Sequence, residues 1–87
     1  MTQERANLLA ALAAAERDER AAMMALHPLE AESARCRVAG ISAHDLVYQE
    51  METWRGKLSR AAAMVTKARY KLAELDAAEA AEGLGVN

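Results

Sequence analysis

Cys36, His44 and Asp45 are the residues whose types and spacing could do chemistry together. A thiol beside an imidazole is the start of a nucleophilic site, in which the ring takes the thiol's proton and a carboxylate orients the ring. The same two side chains could also begin a metal site. If the chain folds back between them, Cys36 and His44 come opposite one another. Neither chemistry is completed, however. A structural zinc takes four ligands, and His27 lies roughly a dozen ångströms away at the helical rise of about 1.5 Å per residue. A nucleophilic pair also needs a concave pocket, which a pair of helices does not offer. The residues therefore read as a seam thiol, a turn histidine and a helix-capping Asp45. The chain has no phosphate loop, nucleotide motif or paired carboxylates. The expectation is a protein that is not an enzyme, with no catalytic residue, no cofactor and no metal.

The elements that would position these residues meet at Ala39-Gly40-Ile41-Ser42-Ala43-His44-Asp45-Leu46. Gly40 can take the positive φ that ends a helix. Ser42 is a good N-cap, and Asp45 three residues later makes a variant of the capping box. Ile41 and Leu46 then occupy the positions of a hydrophobic staple. Gly40, Ile41, Ser42, Asp45 and Leu46 are thus the expected structural turn.

Both flanks carry apolar residues at alternating steps of four and three. Before the turn these are Leu8, Leu12, Ala15, Glu19, Ala22, Leu26, Leu29, Ser33 and Cys36, with Glu19 and Ser33 as polar interruptions. After it come Val47, Met51, Trp54, Leu58, Ala61, Val65, Ala68, Leu72 and Leu75, uninterrupted. Such spacing is the narrow seam of a coiled coil rather than the broad stripe of a globular helix. The prediction is an all-α chain, an antiparallel helical hairpin in one domain over residues 1–82. Its parts are a first arm at about 3–38, a turn at 39–42 and a second arm at 43–80, with residues 83–87 a disordered tail. Thr2 should cap the first arm, with Glu4 in the first turn facing the positive end of the helix dipole. Folding the seams together pairs Leu8 with Leu72, Ala15 with Val65, Leu26 with Trp54 and Leu29 with Met51.

Pro28 lies inside the first arm. A proline there removes one backbone hydrogen bond and costs about 3 kcal/mol. The seam passes from Leu26 to Leu29 without a change of phase, which favours one bent helix over two separate ones. A bend would leave room for the Trp54 indole.

Composition narrows the function classes. Alanine supplies much of the apolar content and there is no Phe, so the chain favours helix but has little core-forming area. A lone cysteine excludes an internal disulfide. Residues 8–15 resemble a short signal core, but Glu4 and Arg5 cancel in the segment where positive charge is required. No apolar run approaches the roughly 18 residues of a membrane span. The cytoplasm is the default location, with no membrane association.

Two surfaces remain for partners. Ala10, Ala14, Ala21 and Met24 form a smooth stripe beside the first seam and are the candidate self-association surface, making a homodimer the expected state. Lys57, Arg60, Met64, Lys67 and Lys71 share one face of the second arm and are the candidate partner-binding strip. The strip would suit an acidic protein surface. The net charge of −2 and the scarcity of aromatic residues for base stacking make nucleic acid the lesser alternative.

The run Tyr48-x-x-Met51-x-x-Trp54-x-x-x-Leu58, followed by Ala68-Arg69-x-x-Leu72-x-x-Leu75, resembles the second arm of the FliJ/YscO coiled-coil stalk proteins of type III export. That resemblance implies an antiparallel hairpin which associates with an export ATPase and with chaperones. The residues themselves point to a non-enzymatic protein–protein interaction module, such as a small adaptor, co-chaperone or inhibitor. A structural stalk and a nucleic-acid accessory protein are the alternatives.

Overall fold

A computed structural model of the chain describes residues 2–85, with side chains described through residue 83. Two helices make up the fold, α1 over Gln3–Val38 and α2 over Asp45–Gly85. They pack antiparallel along their length into a rod of 71 × 20 × 14 Å. Its radius of gyration is 19.8 Å, against about 12 Å for a compact chain of this size.

α1 begins as the sequence predicts. The Thr2 hydroxyl accepts from the Arg5 N–H at 3.2 Å, and Glu4 stands in the first turn. The helix then runs unbroken through Pro28. It ends in a Schellman turn: the Ile41 N–H reaches the Cys36 carbonyl at 2.9 Å and the Gly40 N–H reaches Arg37 at 3.1 Å. Gly40 sits at φ 75°, where a side chain would be strained.

The start of α2 departs from the sequence reading. Ser42 is exposed and is not the cap, because the helix begins at Asp45. His44 fills that role, its Nδ1 accepting from the Leu46 N–H at 3.1 Å. Asp45 is the first helical residue, where a negative charge suits the dipole, rather than the third position of a capping box. Ile41 and Leu46 stay 62% and 59% exposed, so the staple does not form. The physical reason is the Schellman turn, which commits the Ile41 backbone to α1. Ala43 is tucked into the interior instead, its N–H directed to the Tyr48 hydroxyl at 3.4 Å. The connection thus spans 39–44 rather than 39–42.

At the other end, residues 83–85 are helical rather than a disordered tail; residues 86–87 of that expected tail lie outside the described residues.

All eighteen seam positions, nine on each helix, are buried or half-buried. Ala15, Ala22 and Leu26 on α1 and Met51, Ala61, Val65 and Ala68 on α2 form the interior. Most layers pair a small residue with a larger one, which lets the helices approach closely. The apolar seam ends at Leu75, but one ionic layer follows it. Arg5, three residues before Leu8, reaches Asp76 at 2.7 Å and Glu79 at 2.8 Å. These two carboxylates hold the Arg5 guanidinium protonated even more firmly than usual, Glu79 contributing most.

Candidate functional site

The antiparallel arrangement gives the hairpin two long edges. Along one, the residues immediately preceding each seam position of both helices come together. They are Ala11, Ala14, Asp18 and Ala21 on α1, with Lys57, Arg60 and Met64 on α2. Between them runs a groove of about 580 Å³, closed below by Ala15 and Ala61 and bordered by Trp54. Its depth follows from composition: alanines on the α1 wall leave a channel that longer side chains would fill.

The two surfaces read separately from the sequence therefore meet in one groove. Ala14 and Ala21 come from the self-association stripe, and Lys57, Arg60 and Met64 from the basic strip. Ala10, Met24, Lys67 and Lys71 are exposed on the flanks and do not line it. Met64 is 53% exposed and Met24 76%. Pro28 is exposed, and the half-buried Trp54 indole lines the groove together with Ala21. The Lys57 ammonium lies 4.4 Å from the centre of the indole ring, a cation–π contact that holds this wall in place.

Charge distinguishes this edge from the other. On the far edge Glu16 and Arg69 pair across the helices at 3.8 Å, and Asp76 is held by Arg5. Among the described residues, Asp18 and Arg60 in the groove form no ion pair. A shallower recess of about 410 Å³ lies nearer the turn, between His27, Glu30 and Arg37 on α1 and Met51 and Arg55 on α2.

The residues with chemical potential are occupied locally. The Cys36 thiol donates to Glu32 at 3.7 Å, and Glu32 is also bound by Arg35. Partial burial, with the Glu32 charge and hydrogen bond adding to it, pushes the Cys36 thiol above its ordinary value. That favours the protonated form, which is a poor nucleophile and a poor metal ligand. Arg35 in turn holds Glu32 below the usual carboxylate range, through its hydrogen bond first and its charge second. His44 is engaged in capping α2. Among the described residues, no three His, Cys, Asp or Glu side chains gather as a metal site, and no helix is long and apolar enough to cross a membrane.

Comparison with family models, curated proteins and solved structures gives no match. The functional reading therefore rests on the groove itself. Sequence reasoning found its two walls but treated them as separate surfaces. The missing signal was positional. Ala14 and Ala21 on α1, like Lys57, Arg60 and Met64 on α2, precede a seam residue by one, and in an antiparallel pair such positions share an edge. Ala10 and Met24 precede theirs by two.

Proposed function

We propose that this chain is a non-enzymatic protein–protein interaction module, a small adaptor, co-chaperone or inhibitor that receives a helix in the groove between α1 and α2. The observation that carries this reading is the groove's composition. Its floor is small and apolar, so an incoming helix can approach closely. Its rim carries Asp18 and Arg60, neither paired within the described residues, and these can select and orient a partner. A helical groove is a common form of such a site, and binding there needs no catalytic group.

A photo-cross-linking amino acid placed at Met64 tests this in cells expressing the chain. Adducts should form at Met64 and not at Glu52, which is exposed outside the groove. Ala14→Trp, which fills the groove, should erase them while helicity persists. Equal labelling from both positions, or none from Met64, would overturn the reading.

The rod shape favours one second reading, a structural stalk. A stalk would hold its partner at the end carrying the two termini, so cross-links should then concentrate near Arg5 and Glu79 rather than at the groove. The strip's use on nucleic acid is the weakest reading, because Asp18 lines the same groove as Lys57 and Arg60 and opposes a phosphate there. It requires an affinity that falls steeply with added salt.

A further inference from the structure

The two walls of the groove are unlike each other in size and in charge. The α1 wall is small and carries an acid: Ala14, Asp18 and Ala21. The α2 wall is bulky and basic: Trp54, Arg60 and Met64. Such a surface is complementary to itself once it is turned over. A two-fold axis running along the groove lays the α1 wall of each molecule on the α2 wall of the other. Met64 then stands over the Ala14–Ala21 stretch of the other copy, a large side chain over a space lined by small ones. Arg60 comes toward Asp18 of the other copy, and this happens twice by symmetry. Every helix also acquires antiparallel neighbours, the arrangement that simple four-helix bundles use.

The alternative two-fold, across the groove, stacks α2 on α2 and α1 on α1. It would bring Lys57, Arg60 and their counterparts together, and would leave alanine facing alanine across a void. Like charges set opposite one another at an interface are strongly unfavourable.

Resting on the reading that the groove is a protein-binding surface, we infer that what covers it is a second copy of this chain, packed groove to groove with both turns at the same end of a four-helix bundle. The exposed surface agrees. A compact monomer of 9.4 kDa exposes about 5,000 Å². This hairpin exposes 6483 Å². A standard interface removes about 800 Å² from each partner, so the excess covers that requirement.

The test is a charge swap followed by light scattering over a concentration series, with circular dichroism to follow helicity. The unaltered chain should be a dimer. Asp18→Lys and Arg60→Glu should each raise the dimer dissociation constant at least about tenfold, and the double variant should return to within about threefold of the original. Geometry is read separately in a Cys36→Ser background. A chain carrying Ala14→Cys mixed with one carrying Met64→Cys should form a covalent heterodimer on oxidation, and neither alone should form a homodimer. A monomer at every concentration, a dimer indifferent to both single variants, an unrescued double variant, or covalent dimers from one variant alone would each overturn the inference. A monomer whose Met64 still cross-links to other proteins would overturn it while leaving the helix-receiving groove standing.

Discussion

The two edges of the hairpin treat charge in opposite ways. On one, Glu16 meets Arg69, and Asp76 turns in to Arg5 of the ionic layer that ends the seam, so opposite charges pair between the helices. On the other, Asp18 and Arg60 border a groove and pair with nothing among the described residues. Both edges rest on the same seam and come from the same amphipathic spacing. The difference teaches that one edge closes its charges on the hairpin itself, while the other leaves an acid and a base open, the feature on which the proposed partner site depends.

The comparison is sharpest if both edges are measured against the seam they share. Leu26→Ala should cost about 3 kcal/mol in chemical denaturation, because it removes a buried side chain that neighbouring helices cannot collapse to replace. A much smaller loss would mean that the interior is too loose to set either edge. Next in size, Trp54→Ala should cost about 2 kcal/mol, less than a fully buried indole, since only part of the ring leaves water. It should also weaken groove binding, which distinguishes it from Leu26→Ala refolded under stabilising conditions. Smallest is Glu16→Gln on the paired edge, worth a few tenths of a kcal/mol and fading with salt. If Glu16→Gln disturbed partner binding as much as Trp54→Ala, the division of labour between the edges would be wrong.

Much of the fold is legible from spacing alone. The four-three alternation places each of Leu8 through Cys36 and Val47 through Leu75 away from water, Glu19 and Ser33 included. That works because a narrow seam must repeat, and a single polar residue cannot shift its phase. The ends were harder. Ser42 is a better N-cap by composition than His44, but which residue caps depends on where the preceding turn releases the chain. The Schellman bonds at Gly40 and Ile41 delay that release. The Arg5 layer was readable in principle, since Arg5 and Glu79 continue the seam spacing by one step each. An apolar pattern alone does not reveal it, because both residues are charged. The groove was half legible, its residues identifiable but its unity dependent on both helices at once.

Pro28 has a mechanical consequence. Without an N–H it cannot supply the helical bond to the Met24 carbonyl, at a point where α2 runs past uninterrupted. A rod of two helices resists bending because shortening one requires stretching the other. Here one of the two has a single missing link, so the rod behaves as a beam notched on one side. The notch falls near the turn-proximal third of α1, and the groove between residues 11 and 21 lies toward the opposite end of that helix. Bending at the proline would swing the turn while leaving the groove's two walls in register.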